Sequence, residues 1–289
     1  MKIVVIGKSG QLASELKKIV GDKAVFLGRN DVDISDRKQL ETSLSEHAPD
    51  AVINSSAYTA VDKAEDEPAE AHRINAHGVK NLADICSKAG YFLVHVSTDY
   101  VFNGTKGSPY QPDDTIDPQG EYGKSKAEGE QVLLSTLPGD SCLLRTAWVY
   151  SEYGNNFVKT MLRLMAEKSA LNVIDDQIGS PTWAKGLAEA CLFAARNRIA
   201  GTYHWTDEGV ASWYDFALAI QEVGVNVGLL NRKIPVQPIP SSQYPTPAKR
   251  PHYSVLDKVA TREAFAEIGL QHWRQQLADM MSSFQSEKQ

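Results

Sequence analysis

The sequence is poor in the features that would assign it to a specialised class of protein. It has only three cysteines in 289 residues, Cys86, Cys142 and Cys191, and their spacing fits neither a disulfide framework nor a zinc cluster. Each lies among apolar or small residues, so we expect buried thiols in a reducing compartment. No apolar run is long enough to span a membrane. The formal net charge of −6 gives no electrostatic reason to bind nucleic acid or an anionic membrane.

The composition is that of an ordinary folded chain. Hydrophobic residues make up 42% and charged residues 23%, and this length can bury the core of one large domain or two modest ones. The opening segment MKIVVI leads straight into a glycine turn and is too short for the apolar core of a signal peptide. We therefore expect a cytoplasmic protein.

Short apolar segments alternate with helical patterns through the first half of the chain. Strands are predicted over residues 2–6, 24–27, 51–54, 91–96 and 141–146, and helices over 11–20, 36–47, 68–89 and 122–135. Because the strands are apolar on both faces, the alternation predicts an α/β fold with a doubly wound parallel sheet of Rossmann type, covered by helices on both sides.

After Trp148 the alternation loosens, which indicates a smaller C-terminal lobe. Helices are predicted over 156–168, 182–196 and 270–283, strands over 171–174 and 202–205, and a frayed tail over 286–289. The stretch 235–251 holds six of the 13 prolines and should be loop or extended chain. We predict a dinucleotide-binding domain over 1–149 and a mainly substrate-binding lobe over 150–289, with some segments returning to the first domain.

The first strand ends in a glycine turn that opens a helix, as in dinucleotide-binding proteins. Gly7 permits the tight turn, and Gly10 lets the backbone approach a pyrophosphate at the positive end of the helix. Ala13 is the third small position. Gln11 and Leu12, which begin the helix, are predicted cofactor contacts as well.

The end of the second strand should select the coenzyme. An acid there binds the ribose hydroxyls of NAD, whereas an arginine pairs with the 2′-phosphate of NADP. Arg29 and Asp33 are both present; we favour NADPH through Arg29, with NADH as the alternative. The other predicted cofactor contacts follow the second and third strands: Ile34, Ser56, Ala57, Tyr58 and Thr59.

Tyr122 and Lys126 form a Tyr-x-x-x-Lys pair on one face of a predicted helix. Ketone reduction requires a hydride for the carbon and a proton for the oxygen, and an ammonium beside a tyrosine should lower the pKa of its phenol. Thr98, just after the predicted strand 91–96, would hold the carbonyl oxygen near the tyrosine. Ser97 is its rival, since alternation should let only one of the two face the site.

Several segments together resemble the dTDP-4-dehydrorhamnose reductases, a family of extended short-chain dehydrogenases. They are STDYVF at 97–102, AYTAVDKAE at 57–65, NNFVKTMLRL at 155–164, DQIGSPT at 176–182, GTYH at 201–204 and the Arg-Pro pair at 250–251. The resemblance covers most of the chain and is far more specific than the Tyr-Lys pair. It implies reduction of the C4 ketone of a nucleotide sugar, dTDP-4-dehydro-L-rhamnose.

The resemblance also implies roles for individual residues. Thr98, Tyr122 and Lys126 match the catalytic trio. The sugar site would be lined by Val61, Asp99, Tyr100 and Trp148, with Arg250 near the nucleotide diphosphate; Trp148 could instead belong to the core. Some family members form homodimers around a magnesium ion held by acids, so Glu15 is either a magnesium ligand or an exposed helix acid.

Two other functions fit the same fold. An epimerase or dehydratase acting on a different nucleotide sugar would keep its coenzyme bound and return the hydride. A regulatory subunit without catalysis would ordinarily have lost the tyrosine or the lysine, and here the trio is intact. Net consumption of NADPH with substrate would separate these hypotheses from the reductase.

Overall fold

The central sheet of this computed structural model, which describes residues 1–286, contains six parallel strands. The strands of the whole described chain are β1 (Ile3–Ile6), β2 (Ala24–Leu27), β3 (Ala51–Asn54), β4 (Phe92–Thr98), β5 (Ser141–Thr146), β6 (Val149–Tyr150), β7 (Leu171–Ile174), β8 (Ile178–Gly179), β9 (Thr182–Trp183), β10 (Gly201–His204), β11 (Ala211–Ser212) and β12 (Val236–Ile239). The large sheet has the order β10-β5-β4-β3-β1-β2. The order reverses between β1 and β3, and in such sheets ligands bind in the crevice at the carboxyl ends of those strands.

Helices cover both faces of the sheet and build the second lobe. They are α1 (Gln11–Val20), α2 (Arg37–His47), α3 (Val61–Ala64), α4 (Pro68–His72), α5 (Gly78–Ala89), α6 (Glu121–Thr136), α7 (Phe157–Glu167), α8 (Ala184–Asn197), α9 (Trp213–Asn226), α10 (Val259–Ala264) and α11 (Trp273–Ser286). The predicted doubly wound α/β fold is confirmed.

Apolar side chains bury both faces of the sheet. On one face α1 and α8 pack over the strands, and Leu187, Cys191 and Ala194 lie on the buried side of α8, as their spacing predicted. All three cysteines are buried free thiols. A second core in the lobe joins α7, α9 and α11. Since β10 pairs with β5, a segment from beyond residue 150 completes the large sheet. The boundary at 149/150 stays a prediction.

The structure differs from several predicted bounds. The helix predicted over 68–89 contains one π turn, Arg73–His77, between α4 and α5. The helix predicted from residue 182 begins at Ala184, because Thr182–Trp183 pair with β6. The proline-rich stretch contains β12, which pairs with β7; Pro238 is tolerated in this two-stranded sheet, where every strand is an edge.

The C-terminal predictions also need correction. Helix α9 was not predicted, and the last helix runs over Trp273–Ser286 rather than 270–283. Ser286 therefore ends a helix instead of beginning a tail, and the predicted tail positions 287–289 lie outside the described residues. None of the helices within 1–286 combines the length and apolar character needed to cross a bilayer.

Candidate active site

Two neighbouring cavities lie at the carboxyl edge of the central sheet. The first has a volume of about 410 Å³ and the second of about 500 Å³, and Gly10, Ser55, Ser56 and Ala57 line both. They therefore form a continuous groove at the switch point between β1 and β3. The first cavity contains the predicted coenzyme-selecting residues, and the second contains the predicted catalytic residues.

The glycine turn at the end of β1 is shaped to receive a phosphate group. Gly7 has a φ of 121°, and a Cβ there would lie 2.3 Å from Ser55 Oγ, so only glycine fits. At Gly10 a Cβ would meet nothing within 4 Å, because the position faces the groove. Gly10 caps α1 without any side-chain hydrogen bond, which leaves the first amides of this ten-residue helix available to an anion. This geometry fits the pyrophosphate of a dinucleotide.

Four charged residues line the first cavity: Lys8, Arg29, Asp33 and Arg73. Arg29 and Asp33 both lie there, as predicted, together with Ile34. Arg73, which the sequence analysis missed, donates to Asp33 Oδ2 at 2.9 Å and to Glu70 Oε2 at 2.6 Å. Burial works against the charged Asp33, but hydrogen bonds from Ser35 and Arg73 outweigh it and lower the pKa of this carboxyl. Asp33 is thus an ionised carboxylate already bound to a guanidinium.

The second cavity brings together the three predicted catalytic residues. Thr98, Tyr122 and Lys126 line it beside Gln11, Leu12 and Thr59. Thr98 is the last residue of β4 rather than a residue beyond it. Ser97 also contributes to the lining, but its hydroxyl is buried without a hydrogen-bond partner, and the expectation that only one of the two side chains faces the site stays a prediction. The hydroxyl that interacts with Tyr122 is that of Thr98.

The phenol of Tyr122 is harder to ionise than expected. Burial raises its pKa to about 12, the nearby charge of Asp99 works in the same direction, and the hydrogen bond with Thr98 lowers it. The expected lowering of the phenol's pKa by the Lys126 ammonium is not found, because desolvation is the largest effect on Tyr122. At neutral pH Tyr122 carries its proton.

The ammonium of Lys126 lies in an unusual environment for a lysine. The side chain is 2% exposed, and its Nζ donates to the Val96 carbonyl at 2.6 Å. His95 Nε2 lies 3.5 Å from the same nitrogen. Burial lowers the pKa of Lys126 to about 8, and Glu130 partly counteracts the effect. The lysine can therefore change its charge near physiological pH.

The predicted sugar-site residues lie around the catalytic trio. Val61, Asp99, Tyr100 and Trp148 all line the second cavity. Thr98 Oγ1 donates to Asp99 Oδ1 at 3.0 Å, and burial raises the pKa of this carboxyl to about 6. Trp148 is half-buried and stacks on Trp213 of α9, with ring centroids 3.6 Å apart. Trp148 is therefore both a cavity wall and part of an aromatic cluster that the sequence did not predict.

Two of the predicted cofactor and substrate residues, Tyr58 and Arg250, lie outside both cavities. The Tyr58 hydroxyl donates to Glu67 at 2.8 Å, and Tyr58 lines neither cavity, so its predicted cofactor contact has no support in the geometry. Arg250 lines a small adjoining crevice with Tyr100. Its guanidinium donates two hydrogen bonds to Asp62, from Nη1 to Oδ1 at 2.9 Å and from Nη2 to Oδ2 at 2.8 Å.

Glu15 is neither an exposed acid nor part of a metal cluster. It is 1% exposed, and it accepts from Ser151 Oγ at 2.8 Å and from Trp183 Nε1 at 3.1 Å. Burial raises its pKa to about 7, and the neighbouring Glu152 adds to the effect. Within residues 1–286 no group of three His, Cys, Asp or Glu side chains could hold a metal ion. Magnesium at Glu15 is not supported, and a homodimer stays a prediction.

Comparisons with known proteins agree over nearly the full chain. The family model described as RmlD substrate binding domain matches residues 1–286. The chain is 40% identical to a dTDP-4-dehydrorhamnose reductase of Aggregatibacter actinomycetemcomitans, over 96% of this chain and 98% of the relative. It is also 40% identical to the spore coat polysaccharide biosynthesis protein SpsK of Bacillus subtilis, over 97% and 96%. The crystal structure of a Bacillus anthracis dTDP-4-dehydrorhamnose reductase in complex with NADP superposes with a TM-score of 0.91 at 32% identity, over 98% and 99%.

Proposed function

Because the chain belongs to the dTDP-4-dehydrorhamnose reductase family of NAD(P)-dependent oxidoreductases, we propose that it reduces the C4 ketone of dTDP-4-dehydro-L-rhamnose to dTDP-L-rhamnose. The observation that carries this proposal is the meeting of Thr98, Tyr122 and Lys126 in one cavity that continues into the glycine turn. A proton donor and a dinucleotide site that share a groove are what ketone reduction requires. The sugar itself is proposed from the relatives that carry this name.

Each residue of the trio has a separate task. Bound NAD(P)H supplies a hydride to the carbonyl carbon. Tyr122 gives its phenolic proton to the oxygen, because its raised pKa keeps that proton in place at neutral pH. Lys126, as an ammonium, stabilises the phenolate left behind. Since its pKa is about 8, this assistance weakens as pH rises through that value.

Thr98 is best placed to orient the phenol. A threonine hydroxyl has a single proton, and Thr98 donates its proton to Asp99. In the Tyr122–Thr98 hydrogen bond, the threonine oxygen is therefore the acceptor. We propose that this contact positions Tyr122 until the ketone oxygen takes its place as acceptor. When Asp99 is protonated, its carboxyl O–H would be a hydrogen-bond donor in the sugar site.

NADPH is the proposed coenzyme, with NADH as the alternative. Arg29 lines the first cavity, and no ion pair within residues 1–286 engages its guanidinium. Asp33, the residue that would recognise the ribose hydroxyls of NADH, is already bound to Arg73 at 2.9 Å. A 2′-phosphate would therefore meet a guanidinium that no ion pair engages, with Glu70 as its charged neighbour, whereas a ribose would have to share its acid.

The test is reduction of dTDP-4-dehydro-L-rhamnose with NADPH or NADH, followed by loss of reduced-cofactor absorbance. Tyr122→Phe should lower kcat by about 10²–10⁴-fold, the contribution typical of a positioned acid. Tyr203→Phe is the matched control, because Tyr203 lies in β10 and bonds the Ala200 carbonyl, outside both cavities. Consumption that persists in Tyr122→Phe would refute the assigned role of the tyrosine.

The same assay separates the alternatives. An epimerase would convert its sugar without net loss of reduced cofactor, and a regulatory subunit would bind the cofactor without turnover. A folded, cofactor-binding protein that leaves NADPH and NADH unchanged with this sugar would refute the rhamnose assignment.

A further inference from the structure

A row of polar side chains runs along the wall of the catalytic cavity, through the buried His95, and ends at Lys126. It comprises Ser56 after β3, Asn54 in β3, His95 in β4 and the Lys126 ammonium of α6. Asn54 and His95 are each 1% exposed. Because a buried polar group must satisfy its hydrogen bonds within the protein, the direction of each bond in the row can be worked out in turn.

The amide of Asn54 has one orientation only. The backbone N–H of Ser56 donates to Asn54 Oδ1 at 3.1 Å, and Ser56 Oγ lies 2.7 Å from the same atom. A backbone N–H is always a donor, so the atom that it faces must be the amide oxygen. The Asn54 NH₂ group therefore faces the other way, towards His95 Nδ1 at 3.0 Å.

This orientation selects the tautomer of His95. Nδ1 receives a hydrogen from the Asn54 amide and must present its lone pair. Burial, with Lys126 nearby, lowers the pKa of His95 well below its usual value, so the ring is neutral. A neutral imidazole with a bare Nδ1 carries its hydrogen on Nε2. That N–H faces Lys126 Nζ at 3.5 Å.

Whether Lys126 can accept a hydrogen bond from this N–H depends on its charge, and therefore on the groups around it. On its own helix, Tyr122 shares the cavity and Glu130 favours the ammonium. Glu130 is bound to Arg145 of β5 at 2.8 Å, which offsets its charge, and the acid that lines the cavity is Asp99. From β4 the Val96 carbonyl accepts from Nζ, whereas the adjoining His95 N–H can only donate. An ammonium cannot accept that hydrogen, but a neutral amine can.

We propose that Asn54 and His95 are positioning residues for the reaction: Asn54 holds His95 as the Nε2–H tautomer, and that N–H favours the neutral amine at Lys126. The pair thereby sets the upper limit of pH at which the lysine assists Tyr122. The role in turnover rests on the proposed reductase function, but the state of the ring does not, so the two can fail separately.

The tautomer can be measured on the intact protein without substrate. In the long-range ¹H–¹⁵N spectrum of protein labelled with ¹⁵N-histidine, a protonated and a bare ring nitrogen have different shifts, and His95→Gln identifies the signal. We expect His95 to show a protonated Nε2 and a bare Nδ1. A protonated Nδ1 in the wild type would overturn the proposal whatever the protein's substrate proves to be.

Asn54→Asp should reverse the direction of the hydrogen bonds that His95 makes with residue 54 and with Lys126. An aspartate can still accept from Ser56 but can only accept from His95, so the ring hydrogen moves to Nδ1 and Nε2 becomes an acceptor for the ammonium. The alkaline limb of the pH–kcat profile should then move up by at least about one unit, which is about tenfold in the charged fraction at a fixed alkaline pH.

Asn75→Asp is the matched control. Asn75 is equally buried, but it bonds Ser125 and the Tyr58 backbone rather than His95. It adds a buried acid without changing the row, so both the tautomer and the alkaline limb should stay as in the wild type. If Asn54→Asp changes the His95 tautomer but leaves the alkaline limb of the pH–kcat profile where it is in the wild type, the link to Lys126 is overturned. An equal shift of the alkaline limb in Asn75→Asp would overturn it as well.

Discussion

Replacing Gly123 with alanine should displace the start of α6 and, with it, the Tyr122 phenol. A Cβ at this position would lie 2.3 Å from the Tyr100 carbonyl oxygen and 3.0 Å from Pro118 Cβ, whereas ordinary contact begins at 3.4 Å. The carbonyl belongs to the backbone and cannot rotate away, so the helix start must move by about 1 Å. A misplacement of about 1 Å can lower a rate by about 10²-fold, and overpacking typically costs about 1–3 kcal/mol of stability.

The assay is kcat for ketone reduction together with the free energy of unfolding in denaturant. Gly186→Ala is the matched control, since Gly186 is likewise the third residue of its helix, α8, and its added Cβ would meet nothing nearer than 3.5 Å. Because alanine is favoured over glycine in a helix, this variant should be no less stable than the wild type and equally active. An unchanged kcat in Gly123→Ala, or the same loss in both variants, would refute the steric reasoning.

Two further predictions concern stability. Arg145→Met should cost about 3–5 kcal/mol in denaturant unfolding, because it leaves the 1% exposed Glu130 as an unpaired buried charge; a cost as small as that of a surface ion pair would contradict this. Glu15, whose pKa is raised from 4.5 to about 7, favours the folded state when protonated. Stability should therefore decline as pH rises from 4.5 through about 7, and Glu15→Gln should flatten that slope. Parallel pH profiles for the two proteins would show that another group is responsible.

The sheet was predictable because its signals are local. Each buried strand is a short apolar run, and each following helix has its own periodicity. Four strands, β6, β8, β9 and β11, are only two residues long, which is too short for a periodic pattern to be detected. They form by pairing with other segments of the chain, which no local pattern reveals. Helix α9 could have been found: Ser212 and Asp215 form a reciprocal capping box at its start, which is a recognised N-terminal signal.

The site was predictable only where its residues share an element or a motif. Tyr122 and Lys126 follow from a spacing of four on one helix. Arg73, Asn54 and His95 come from three other segments, and no local pattern links them to the lysine. Tyr58 shows the converse error: it lies between cavity residues in the sequence, but its hydroxyl is drawn to Glu67.

Helix α6 shows why a catalytic helix is difficult to recognise as part of the core. Besides Ala127 and Leu133 it buries Gly123, Lys126, Gly129 and Glu130, so apolar side chains make up only part of its buried face. Close backbone contact makes up another part: a Cβ on Gly129 would lie 2.2 Å from the Asn75 carbonyl oxygen. The ion pair between Glu130 and Arg145 anchors the same face. Apolar residues at these positions would give a more ordinary amphipathic helix. The helix would then lack the lysine that lines the cavity and the acid that raises the pKa of this lysine. The departure from amphipathic patterning therefore follows from the chemistry that the helix carries.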